Sequence, residues 1–217
     1  MSATAKDFKD ALKELREKNK KRNFNQSIEL IINLREIDMK KPEGKIQETV
    51  ELPHPLNRKI SVCVFAAGDM ALRAKRSGAD LVLEREEIEG LANDKKKQRQ
   101  IAKSTDAFLA AAPLMPLVGK VFGAILGPRG KMPAPIAPTA NIENEIERHK
   151  KLTTVRTRNQ PVLQCRVGTE NMSDDEIIEN IQTVLRRVEG KLKRGNRNIG
   201  SICIKATMGP TTKVSTK

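Results

Sequence analysis

Apolar spacing changes character twice along the chain. Phe8, Leu12 and Leu15 are separated by four and three residues, which predicts one helical face over residues 4–20 with Lys and Glu on the other. From Ser27 the period drops to two. Ile28, Leu30 and Ile32 alternate with less apolar neighbours through SIELIINLREID, the pattern of a strand with one covered face. KKPEGK breaks the pattern, KIQETVELP alternates again, and the prolines of LPHPLNRK close this first block.

At Ile60 alternation gives way to continuous apolar runs. ISVCVF, LVL and DAFLAAA read as strands buried on both faces. Between and after them lie predicted helices: AGDMALRAKRSGAD ending at Gly78, a charged helix from Glu84 to Ser104, MPLVGKVFGAILG, and NIENEIERHKKL. GPRGKMPAPIAP reads as a rigid loop. The apolar stretch 107–127 contains Pro113, Pro116 and Lys120, so it fits a strand followed by a core helix rather than a membrane span.

From Thr153 the amphipathic texture returns. TTVRT, QPVLQCRVG and SICIKAT read as strands. Ser173 is the expected N-cap of a helix with an acidic first turn and a basic last turn, which suits the helix dipole. TTKVSTK reads as a polar tail. The simplest architecture is α/β with two domains. Residues 1–59 and 153–217 form a discontinuous, split β-α-β type domain; residues 60–152 form an inserted Rossmann-like α/β/α domain. The chain crosses between them near 58–59 and near 152–158.

Charge sharpens this division. The chain of 217 residues has a formal net charge of +14, and +10 of it belongs to the two-ended domain. Such a surplus points to a polyanion, nucleic acid first. Aromatics make up 2% of the chain, five Phe with no Tyr or Trp, which argues against base-stacking platforms such as RRM sheets. A surface of this kind would read phosphates, sugars and shape.

Sites of catalysis are hard to assemble. No glycine-rich fingerprint follows ISVCVF. GAILGPRGKM lacks the first glycine of a phosphate loop, because position 125 is Ile, and lacks the hydroxyl after Lys131, because position 132 is Met. His54 sits between prolines and His149 in a charged helix, neither beside a second ligand or nucleophile. Cys63, Cys165 and Cys203 lie in separate apolar runs without metal-ligand spacing and read as reduced core residues. No catalytic residue, metal or cofactor is expected. The rival reading is a nucleotide-binding enzyme built on the inserted domain.

Three segments stand out, all in the two-ended domain. KKRNFNQSIE places Phe24 after a basic run and Ser27 with Glu29 on one strand face. QCRVG ends a strand on Gly168, where a missing Cβ permits close approach. In SICIKATMGPTT, Ser201, Cys203, Lys205 and Thr207 share a face, and Met208 and Gly209 follow.

RNFNQSIEL, LGPRGKMP and S-x-x-x-K-x-TMGP, in this order, resemble the ribosomal protein L-one family, the side-stalk protein of the large ribosomal subunit, over essentially the whole chain. The LGPRGKMPAPIAP and VCVFAAGDMALRAK forms are similar to its archaeal branch. The resemblance implies a non-enzymatic, cytoplasmic protein, monomeric when free of the ribosome and with no membrane partner. Its partners would be large-subunit rRNA, exit-site tRNA during release of deacylated tRNA, and its own mRNA as a translational repressor. It also implies an RNA-facing cluster at Phe24, Ser27, Glu29, Gln164, Gly168, Ser201, Lys205, Thr207, Met208 and Gly209. The family is often basic just before this Phe, whereas Asn23 stands here, with Arg22 or Lys21 as substitutes.

Overall fold

A computed structural model describes residues 4–20, 22–41, 44–56, 60–137 and 140–215. The chain forms two compact units, one from residues 1–57 and 151–217, the other from 58–150. The first expected crossing, near 58–59, lies outside the described residues. The second lies at 150/151, so Leu152 opens a strand of the two-ended unit.

In that unit α1 (Ala5–Lys18) begins on a Thr4–Asp7 capping box. It is followed by β1 (Ser27–Leu34) and β2 (Gln47–Glu51) and, after the insertion, by β7 (Leu152–Arg156), β8 (Val162–Thr169), α7 (Asp174–Glu189), β9 (Ile199–Ala206) and β10 (Thr211–Lys213). The strands form one antiparallel sheet in the order β10-β9-β1-β8-β7-β2. The alternation read from the sequence decides the faces. Ile28, Leu30, Ile32, Val155, Leu163, Val167, Ile202 and Ile204 join Phe8, Leu12 and Leu15 of α1 and Ile177, Ile181 and Val184 of α7 in one core. Both helices thus cover the same sheet face. Ser173 caps α7 in a capping box with Glu176. Arg16 ties α1 to the loop before α7 through Asp174 at 2.9 Å and the carbonyls of Glu170 and Met172 at 3.0 and 2.9 Å. The tail is more ordered than its composition suggests: β10 pairs with β9, and Val214 is fully buried with its N–H bonded to the Ile202 carbonyl.

The inserted unit runs β3 (Val62–Phe65), α2 (Asp69–Arg76), β4 (Leu81–Leu83), α3 (Arg85–Gly90), α4 (Lys95–Ser104), β5 (Ala107–Ala111), α5 (Met115–Arg129), β6 (Ala134–Ile136) and α6 (Ile142–Lys150). Its sheet is parallel, ordered β4-β3-β5-β6. Continuous apolar strands are required because both faces are covered. Val62, Val64 and Leu109 pack toward α2 and α6; Cys63, Phe65 and Phe108 pack toward α3, α4 and α5, where Phe65 meets Phe108 and Phe122 at ring-centroid distances of 6.0 and 5.3 Å.

Two expectations need correction here. The helix expected over 84–104 is two helices, because Asp94 accepts from the Lys97 N–H and caps α4, while the buried Gln98 amide donates to the carbonyls of Leu91 and Ala92. The GPRGKMPAPIAP loop is largely structured. Helix α5 passes through Pro128 to Arg129 and stops on Gly130 at φ 69. Lys131 then donates to the carbonyls of Ala102 and Thr105 at the end of α4. β6 tolerates Pro135 because it is an edge strand. The LGPRGKMP motif therefore terminates and clamps helices. Among the described residues no helix is long and apolar enough to cross a membrane, and no group of His, Cys, Asp and Glu is placed to hold a metal.

Candidate nucleic-acid interface

Because β1 runs antiparallel between β8 and β9, its start meets their ends: Ser27 lies opposite Thr169, and Ile28 opposite Gly168 and Ala206. The loop before β1, the loop after β8 and the Thr-Met-Gly turn after β9 therefore converge, together with Asn19 at the end of α1.

Gln26 organises this convergence. By strand parity it belongs with Ile28 and Leu30, and it is fully buried. Its amide donates to Glu170 Oε1 at 3.0 Å, Asn19 Oδ1 at 3.3 Å and the Lys20 carbonyl at 3.4 Å. Its own oxygen accepts the Met208 N–H at 3.0 Å. Glu170 also takes the Gln26 N–H at 3.1 Å and the Asn19 amide. The Thr207 hydroxyl accepts from the Ser27 N–H and donates to the Ser27 carbonyl, both at 3.2 Å. A Cβ on Gly209 would lie 2.8 Å from Asn19 Oδ1 and 3.2 Å from the Ala206 Cβ, so a side chain there would displace the Asn19 amide from the network.

This network fixes the turn and leaves its outer surface free. Met208 is 61% exposed and Phe24, two residues ahead of Gln26, is 52% exposed, whereas the other four Phe are buried. Met208 and Phe24 are both large apolar side chains exposed on segments that meet at this strand end, where the Met208 N–H is bonded to Gln26. Thr207 is also exposed, so its hydroxyl is paired but not buried. Arg22 is exposed; Lys21 lies outside the described residues.

The sheet face turned away from α1 and α7 carries the polar parity. Glu29 stands directly between Lys205 on β9 and Arg166 on β8. That placement accounts for a carboxylate on a basic surface: two cations stand opposite it on the neighbouring strands. Thr211 and Lys213 of β10 extend the row past Lys205 and Cys203. Gln164 is exposed one step farther, opposite Ile31 and Arg156.

Two residues of the expected cluster are placed differently. Ser201 bonds the Asn33 amide at 2.8 Å at the far end of β9, six residues or about 20 Å from Thr207. Gly168 is buried next to a β-bulge, and a Cβ there would meet Ile177 Cγ1 of α7 at 2.8 Å. Its missing side chain makes room for the helix, not for an approaching chain. The sequence reading missed Gln26, Asn19 and Glu170. The available signal was parity: a Gln at a core position of an otherwise apolar strand face needs buried partners.

The model of the ribosomal protein L1p/L10e family matches residues 15–210. A protein of Hyperthermus butylicus called large ribosomal subunit protein uL1 is 46% identical over 94% of this chain and 94% of its own. Proteins of the same name from Methanocaldococcus jannaschii and Archaeoglobus fulgidus are 47% and 43% identical, covering 94% and 96% of this chain and 93% and 95% of theirs.

Proposed function

Since the chain belongs to the ribosomal protein L1p/L10e family, we propose that it is a non-enzymatic protein of the large ribosomal subunit that grips rRNA through the strand-end turn of its two-ended unit. The observation that carries this reading is the fully buried Gln26, whose side-chain oxygen holds the Met208 N–H and whose amide ties Asn19 and Glu170, while Phe24, Thr207 and Met208 are exposed. A preorganised turn of this kind adds selectivity because little ordering remains to be done on binding. The exposed Thr207 hydroxyl offers its remaining lone pair to a ribose 2′-OH, the group that separates RNA from DNA. Met208 and Phe24 supply apolar contact to a sugar or an unstacked base. Lys205, Arg166 and Lys213 supply phosphate attraction.

The test is binding of large-subunit rRNA fragments and random RNA of equal length across a salt series. The intact protein should prefer the rRNA fragment, and Met208→Ala should reduce that preference by about tenfold while leaving non-specific binding unchanged. Equal binding to both RNAs at every salt concentration would remove the reading.

Within the same proposal the protein acts in the cytoplasm, is monomeric off the ribosome, assists the departure of deacylated tRNA, and represses its own translation. The last two carry separate checks. Ribosomes lacking the protein should release deacylated tRNA more slowly. A reporter behind the protein's own leader should fall when the protein is added, and recover with Met208→Ala.

A further inference from the structure

At the opposite end of β1 and β9 the same unit carries a second concavity, of about 630 Å³, lined by Glu36, Asp38, Lys41, Lys191, Lys193 and Arg194 among others. Four cations face two carboxylates there, and Arg35 and Arg197 stand beside it, joined by a 2.7 Å bond from Arg35 Nε to the Arg197 carbonyl. The end of α7 explains part of this charge, since cations favour a helix C-terminus. Lys191 and Arg187 are further used by Glu48, at 3.0 and 3.1 Å. Neither reason covers Lys41, on the other wall, or Arg194, past the end of the helix. The backbone also meets a cost here. Glu36 has φ 56, uncommon for a residue with a Cβ, and its carboxylate pairs with Arg194 at 2.5 Å. That pairing sets the guanidinium at the cleft wall.

The open face of β1 joins this cleft to the strand-end turn. The outward parity of β1 runs Ser27, Glu29, Ile31, Asn33 and then Arg35, and Ser201 is bonded to Asn33 on that face. Gly200 sits at this end of the face, where a Cβ would come within 3.3 Å of the Asn33 carbonyl.

We propose that the cleft formed by Lys41, Lys191, Lys193 and Arg194 is a second phosphodiester-binding site, which holds a separate segment of the same RNA strand system gripped at the turn. The inference rests on the RNA-binding reading above and extends it. It gives Ser201 a place: the residue lies between the two grips rather than within the first. Two grips separated by the length of β1, about 25 Å, would measure the spacing of two RNA segments, which single-site recognition cannot do.

The test uses the full chain carrying Lys41→Gln, Lys193→Gln and Arg194→Gln together, compared with Met208→Ala. Hydroxyl-radical footprinting on a long rRNA fragment is read alongside affinity and salt dependence. The triple variant should bind at least tenfold more weakly, with a salt slope lower by about two to three. It should also expose one RNA segment that Met208→Ala leaves protected. Circular dichroism checks that both variants are folded. Selective binding by the intact protein, with a triple variant whose footprint is unchanged or that loses only the segment lost by Met208→Ala, overturns the second site alone. Failure of the intact protein to prefer rRNA overturns the reading beneath it as well.

Discussion

Replacing Gln26 by Leu tests whether the turn after β9 is held from inside. The substitution nearly preserves volume and removes every hydrogen bond of the side chain. The Glu170 carboxylate loses a charge-assisted bond at 3.0 Å, which is worth about 1.5–3 kcal/mol. The Met208 N–H loses its partner at 3.0 Å, and because Met208 is exposed water restores part of that bond, leaving about 1 kcal/mol. Asn19 retains its contact with Glu170. Burying an apolar side chain returns about 1 kcal/mol, so the net cost is about 1.5–3 kcal/mol. The chain has no Trp or Tyr for fluorescence, and its two units need not unfold together. Native-state amide exchange is therefore the better assay. Met208 and Gly209 should lose about 10- to 150-fold in protection while β3 and β5 of the inserted unit are unchanged. RNA affinity should fall as well, because the turn must then be ordered on binding. Unchanged exchange at Met208 would refute the claim that Gln26 organises the site.

Gly168→Ala should destabilise the two-ended unit by about 1–3 kcal/mol, because its Cβ meets Ile177 at 2.8 Å; a melt that does not move would show that α7 shifts freely. Burial pushes the Cys63 and Cys165 thiols up to about 12, with Glu29 adding to the effect at Cys165, whereas Cys203 is half-buried on the open sheet face. Thiol reagents at pH 8 should thus label Cys203 first, and bound rRNA should slow that labelling; equal rates with and without RNA would place the RNA away from this face. Glu48 is held below its usual carboxylate value chiefly by its hydrogen bond from Lys191. A carboxyl lowered on folding contributes stability above the ordinary value of 4.5 and loses it as pH falls through the lowered one. Glu48→Gln should flatten the decline in stability below about pH 4.5, measured by urea midpoints from pH 3 to 6.

What the sequence settled by itself were properties carried by local period and composition. Alternation at Ile28, Leu30 and Ile32 fixed a one-sided strand, and unbroken runs at ISVCVF and DAFLAAA fixed strands covered on both sides, because each pattern satisfies only one kind of burial. Ser173 followed by acids fixed the start of α7. Two of the three motifs, RNFNQSIEL and TMGP, meet at one strand end of the two-ended unit. Tertiary structure decided which motif residues share a place. Antiparallel register put Ser27 beside Thr207 and sent Ser201 to the other end of β9, although Ser201 is nearer to Thr207 in sequence than Ser27 is. It gave Gly168 to Ile177, an assignment that depends on a helix arriving from another part of the chain. It ordered β6 and β10, whose Pro and Thr content reads as loop until an edge position supplies the pairing. It also turned Gln26 from one more polar loop residue into the internal support of the turn, because only the fold brings Asn19, Glu170 and Met208 around one buried amide.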